Sequence, residues 1–149
     1  LINDADAAGL AEVAFGAAKG VPGTVLLLTI GTGIGSAILV DGRLLESTEF
    51  GHVPFRSRDA ELWVSGAARE RRAVGWRRWA GEFSEYLAVL EKFFWPDLII
   101  LGGGVSKEHA TYGKWLKSRA PIVTARFLNT SGIIGAALAA GRPEEAPGD

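Results

Sequence analysis

Five groups of residues in this 149-residue chain could carry chemistry. Asn3-Asp4-Ala5-Asp6 sets two carboxylates ahead of an alanine-rich run. Asp4 falls where a helix should start, and a helix dipole favours an ionised carboxylate there. Such a group is either a general base or a helix cap. Gly31-Thr32-Gly33-Ile34-Gly35 has glycine at alternate positions. Glycine permits positive φ and clears side chains away, so amide N–H groups can converge on an anion. A tight turn would use the same residues. Glu49-Phe50-Gly51-His52 places a carboxylate and an imidazole three apart in a loop, either a pair suited to the hydroxyl groups of one polar ligand or two unrelated loop residues. Gly102-Gly103-Gly104 follows an apolar run, where bare backbone either admits a ligand or only connects. Arg69, Arg71, Arg72, Arg77 and Arg78 interleave with Trp76 and Trp79. This stripe could hold a polyanion or be a solvated helix face.

Spacing excludes several other sites. A dinucleotide fingerprint needs glycine where Ser36 stands, and no Gly-Lys-Ser/Thr supports a P-loop. Ala8 and Phe15 occupy ligand positions of a calcium loop begun at Asp4. With two histidines and no cysteine, zinc has too few ligands, and no metal ligand is assigned.

The elements that must position these groups follow from periodicity. Asp4 to Ala18 reads as a helix capped by Asn3 or Asp4 and ended by Gly20 and Pro22. Thr24–Ile30 is a strand buried on both faces, Ser36–Val40 a second, and Asp41-Gly42 turns into a third at Arg43. Residues 46–60 read as a loop. Helices are expected over Ala60–Arg72 and Phe83–Phe94, the second with Phe83, Tyr86, Leu87, Leu90 and Phe93 or Phe94 on one face. Asp97–Leu101 and Pro121–Val123 are further strands, and 132–140 a last helix. An antiparallel meander followed by crossover helices makes an α/β lobe with a mixed sheet and flanking helices. That lobe would span residues 1–141, with 142–149 a disordered tail.

Composition narrows the class. The chain is 48% apolar and 22% charged, which fits one packed domain. A net charge of −1 and no membrane-length apolar run argue against nucleic acid and membrane partners. The lack of cysteine fits a reducing, cytoplasmic setting. Methionine is absent, and Leu1-Ile2 opens the chain as if a strand were cut, so it reads as part of a longer protein.

The five groups, in this order, resemble the sugar kinases of the ROK family, and most closely its polyphosphate-using members. Asn3 to Glu12 looks like the family's catalytic-aspartate segment, Leu28–Ala37 its second phosphate loop, and Thr48–His52 its Glu-Leu-Gly-His sugar motif. Trp95–Lys107 and 132–138 match later segments. Phe50 stands for the usual Leu and Ser131 for the usual Ala. The family's Cys-rich zinc motif is absent, as is the Asp-x-Gly-Gly-Thr loop of a first lobe.

The resemblance implies one lobe, the carboxy-terminal one, of the actin-like, hexokinase-type ATPase fold. It makes Asp4 the general base for the 6-hydroxyl of glucose, with Asn3, Glu49, His52 and Glu61 as sugar ligands. Gly31, Thr32 and Gly33 would contact donor phosphate, and Gly102, Gly103 and Gly104 would border the donor path. Arg71, Arg72, Arg77 and Arg78 become polyphosphate candidates. The donor is polyphosphate or ATP, with Mg2+ carried on it, and the protein a homodimer. Rival readings are an ATP-dependent ROK glucokinase and a sugar-binding remnant without turnover. A sugar-sensing repressor of the family would carry a helix-turn-helix segment ahead of this region. The 149 residues alone are expected to be inactive as a kinase.

Overall fold

A computed structural model describes residues 2–127, 137, 138 and 141. Apart from positions 137 and 138, the expected last helix and the 142–149 tail lie outside these residues.

The first helix, α1 (Asp4–Phe15), ends at Gly16, earlier than Gly20. It is followed by β1 (Thr24–Ile30), β2 (Ile34–Val40) and β3 (Arg43–Leu45). β2 starts two residues before the expected Ser36, because Ile34 pairs with Ile30. The loop expected over 46–60 holds a 3₁₀ turn at Phe50–His52 and a hairpin of β4 (Pro54–Phe55) and β5 (Arg58–Asp59). Arg56 and Ser57 turn that hairpin with φ of 50° and 66°. Neither is a residue that announces positive φ, which hid the turn.

The helix expected over Ala60–Arg72 is two: α2 (Glu61–Val64) and α3 (Gly66–Arg71). Ser65 breaks it with extended backbone, and its hydroxyl accepts the Ala68 N–H to cap α3. Next, α4 (Trp76–Phe94) begins seven residues before the expected Phe83, with Gly75 at its N-cap, and closes on left-handed Trp95 before Pro96. Phe83, Tyr86, Leu87 and Leu90 share its buried face, joined by Trp79, whereas Phe93 is 75% exposed. The arginines of the first turn mask this apolar stripe in the sequence. β6 (Leu98–Gly102), α5 (His109–Tyr112) and β7 (Ile122–Thr124), with 3₁₀ turns at Gly104–Glu108 and Gly113–Trp115, complete the described elements.

The strands form one mixed sheet in the order β3-β2-β1-β6-β7. β1, β2 and β3 are the antiparallel meander, and β1, β6 and β7 run parallel. Period-2 alternation buries both faces. Leu26, Leu28 and Ile30 face α4, while Val25 and Leu27 face the α1 side. Glu12 of α1, fully buried, accepts the Ala17 and Phe127 N–H groups at 2.7 and 3.0 Å, tying the helix to the segment beyond β7. Among the described residues, no helix is long and apolar enough to cross a membrane.

Gly103 is the tightest point of this frame. Its φ is +77°, and a Cβ there would lie 2.5 Å from the Ile30 carbonyl oxygen and 2.6 Å from its nitrogen. The backbone conformation alone costs a side chain about 1–3 kcal/mol. Gly103→Ala is therefore expected to lower Tm by about 4 °C or more, at roughly 2–4 °C per kcal/mol for a domain of this size. A melting curve superimposable on wild type would show that the two strand ends can part freely.

Candidate active site

All three parallel strands end on one side of the sheet, where open α/β sheets bind ligands. β1 runs out into Gly31–Gly33, β6 into Gly103 and β7 into Ala125 and Phe127. These residues, with Asn3 and Asp4 at the mouth of α1 and with Thr48, Glu49 and Glu61, line one cleft of about 740 Å³. The base candidate, the glycine loop and three of the four sugar-ligand candidates, Asn3, Glu49 and Glu61, thus share a cavity. Gly31 and Thr32 also border a second hollow of about 620 Å³, lined by Arg69, Glu70, Trp76, Gly104 and Glu108.

The mouth of α1 resolves which residue caps. Asn3 has extended backbone, and its Oδ1 accepts the Asp6 N–H at 2.8 Å. Asp4, one residue on, is exposed to the cleft and has no capping role. Asn3 keeps its amide N–H groups for a ligand.

The glycine loop is braced from below. Gly31 N–H donates to the Gly33 carbonyl at 3.0 Å, and the Gly31 carbonyl accepts from Ala67 at 3.1 Å. Glu61 Oε2 accepts the Ile34 N–H at 3.2 Å. A Cβ on Gly33 would lie 2.6 Å from that same Oε2, so glycine lets α2 approach the loop.

The Thr48–His52 segment is pinned to β2. Thr48 Oγ1 donates to the Ser36 carbonyl at 2.9 Å, and the Phe50 N–H donates to Ser36 Oγ at 3.0 Å. Tyr86 of α4 donates to the Phe50 carbonyl at 2.8 Å. Glu49 lines the cleft with an exposed side chain. His52 does not line it. Its Nδ1 sits 2.8 Å from Asp59 and 3.8 Å from Glu61, and its Nε2 3.9 Å from Glu49, so it stands behind two lining carboxylates. The Asp59 hydrogen bond, aided by the Glu61 and Glu49 charges, holds the His52 pKa above its ordinary value. The imidazolium therefore persists to higher pH and remains a donor on both nitrogens.

The arginine stripe divides. Arg72 forks onto Glu82 at 2.7 and 3.0 Å, donates to the Trp63 carbonyl and is largely covered, which differs from the exposed cation the sequence suggests. Arg69 lies 3.8 Å over the Trp76 ring. Arg71, Arg77 and Arg78 are exposed, although Arg71 also donates to the Leu62 carbonyl and Arg78 to Glu82. Trp79 is fully buried and takes no part in the surface.

Ser36 and Thr48, which the sequence motifs contain without a role of their own, and a wall of Ala125 and Phe127, which sequence reasoning missed, also line the cleft. A serine in an otherwise aliphatic strand was the available signal for Ser36. Nothing in the local pattern marks the wall.

The model of the ROK family matches residues 1–67. Over 139 residues the chain is 45% identical to the polyphosphate glucokinase of Mycobacterium tuberculosis (strain CDC 1551 / Oshkosh), covering 93% of this chain and 52% of that protein. The crystal structure of the inorganic polyphosphate/ATP-glucomannokinase of Arthrobacter sp. strain KM superposes with a TM-score of 0.90 at 48% identity, over 93% of this chain and 55% of that one. A ROK family glucokinase from Streptomyces griseus, solved with glucose and AMPPNP, shares the fold at 23% identity and a TM-score of 0.75, over 93% of this chain and 67% of that one. The chain spans about half the length of the relatives it matches. The family's model thus fits residues 1–67, and the actin-like fold of the ROK kinases runs through nearly all of the chain's described length.

Proposed function

We propose that these residues form the catalytic and donor-binding half of a cytoplasmic, homodimeric kinase that transfers a phosphoryl group from polyphosphate or ATP to the 6-hydroxyl of glucose or a similar hexose. One observation carries the reading: Asp4, the Gly31–Gly33 loop, Glu49, Glu61 and Gly102–Gly103 line a single cleft. The names of the relatives above support the substrate class.

Phosphoryl transfer through a loose transition state asks mainly for positioning and charge neutralisation. Asp4 accepts the proton of the 6-hydroxyl as the bond to phosphorus forms, and the donor's terminal bridging oxygen leaves with the remaining phosphate chain. Asn3 donates to a sugar hydroxyl through its amide group. Glu49 and the free oxygen of Glu61 accept from others, and His52 acts on the sugar's far edge or holds these carboxylates in place. With the Gly31 N–H held by the Gly33 carbonyl, the backbone N–H groups of Thr32 and Gly33 face the donor phosphates, which continue past Gly102–Gly104 toward the second hollow. Magnesium would arrive on the donor phosphates, where it neutralises charge; among the described residues no group of three His, Asp or Glu offers it a cage.

The test is glucose 6-phosphate formation by the two-lobed enzyme carrying these residues, supplied in turn with polyphosphate and ATP. Turnover of glucose with either donor is expected. Failure to phosphorylate any hexose would overturn the reading.

Arg71, Arg77 and Arg78 are proposed to hold the polyphosphate chain beyond the cleft, beside Trp76 of the second hollow. Replacing all three with Gln should raise KM for polyphosphate by about tenfold at low salt, and less at high salt, because exposed charges are screened. KM for ATP should move less than about twofold, since few of its phosphates reach so far. Equal changes for both donors would return the stripe to an ordinary solvated face. Arg72 stays in this variant, since its loss would strand Glu82.

A further inference from the structure

Asp6 is 2% exposed, yet only one of its carboxylate oxygens has a partner. Oδ2 accepts the Ser47 N–H at 3.1 Å, while Oδ1 is buried with none. Leaving a buried acceptor unsatisfied is costly, and this one is charged when ionised. Burial pushes the Asp6 pKa up, and the facing Glu46 and Glu49 carboxylates push it further. A residue kept only for stability at this position would be neutral.

What the retained hydrogen bond does is visible in its surroundings. Ser47 is held at φ of 62°, a left-handed conformation that costs a non-glycine residue energy. The next residue, Thr48, is fixed by Ser36, as is Phe50. Glu49 lies between these pinned residues. Ser36 ties its loop to the sheet, and Asp6 ties the same loop to α1, two residues beyond Asp4.

We propose that Asp6 is a positioning residue that sets the hexose-gripping loop, and Glu49 with it, in register with the helix that presents Asp4. This rests on the kinase reading for its consequence, but not for its geometry. The acceptor is what matters, and the charge is incidental. Asparagine would keep an acceptor for Ser47 and give the orphaned position an amide. Alanine removes the acceptor, and leucine removes it while keeping the volume.

The experiment compares Asp6→Ala, Asp6→Leu and Asp6→Asn in the complete enzyme, with amide exchange at Ser47 and hexose KM as readouts. Losing the acceptor predicts Ser47 exchange and hexose KM each rising about tenfold in the Ala and Leu variants. Donor KM should stay within about twofold, and Asp6→Asn should restore both readouts to within about threefold of wild type. Removing the buried charge should also leave all three variants folded, since Asp6 is a liability to stability. Unchanged Ser47 exchange in Asp6→Ala and Asp6→Leu would overturn the role, as would equal losses in Asp6→Asn and Asp6→Ala. Wild-type enzyme that phosphorylates no hexose would instead overturn the kinase reading, and Ser47 exchange would still decide Asp6.

Discussion

Asp4→Asn should lower kcat for glucose phosphorylation by about 10²–10⁴, the range a positioned general base supplies. Asparagine keeps the size of the side chain and can still hydrogen-bond a hydroxyl, so glucose KM should stay within a few-fold. The fold should also hold, because Asn3 and not Asp4 caps α1. Asp4 contributes only its charge near the helix start, about 0.3–1 kcal/mol for an exposed group. A steady-state comparison with saturating donor reads both parameters. A kcat within tenfold of wild type would remove Asp4 from the base role, whatever the glucose affinity.

Glu82→Ala should be the most damaging change away from the cleft. The carboxylate is 4% exposed and accepts both Nη atoms of Arg72, with Arg78 and Arg56 at 3.2 and 3.4 Å. The Arg72 hydrogen bond holds the Glu82 pKa below the ordinary carboxylate range. Breaking a buried pair from one side costs about 3–5 kcal/mol, because the remaining charge loses its counter-ion. Arg72 retains the Trp63 carbonyl and some solvent, which favours the lower figure. The exposed Arg78 and half-exposed Arg56 pairs add little. A loss of about 3 kcal/mol corresponds to a fall of roughly 6–12 °C in Tm for a domain of this size. Because the folded pKa is depressed, this stabilisation is present above the unfolded carboxylate pKa and disappears as pH falls through the folded value. Acid titration should thus separate wild type, which loses this increment, from Glu82→Gln, which never had it. A Tm change under about 2 °C at neutral pH would show that the network is dispensable.

The cleft was legible where chemistry forces residue type. Taken singly, Asp4, Gly31–Gly33 and Gly102–Gly103 suit a cap, a turn or a connection as well as a site, and their order along the chain, through the family resemblance, is what marks them as one cleft. The sheet was legible because β1 and β6 are unbroken aliphatic runs and Asp41-Gly42 supplies a turn. The hairpin at Arg56 and Ser57 was not, since tertiary contacts force positive φ on unsuited residues. Arg56 is held to Glu82 and Glu85. The start of α4 was hidden by the exposed Arg77 and Arg78, the second of which pairs with Glu82 one turn along the same helix. Asp6 looked like a second acid of one motif, and only its burial separates it from Asp4. The resemblance makes His52 a sugar ligand, and the 3₁₀ turn sets it behind Glu49 and Glu61, which line the cleft.

The parallel pairing of β1 with β6 brings Val25 opposite Leu98, and Glu12 reaches Phe127 across 115 residues. Such distant partners meet only after the entropy of closing long loops has been overcome, while a meander zips between sequence neighbours. During folding, then, β1 to β3 can form early, and the wall made by β6 and β7 joins late. Until it does, the aliphatic edge of β1 stays open, so a nascent chain is most prone to pair with its neighbours before the cleft exists.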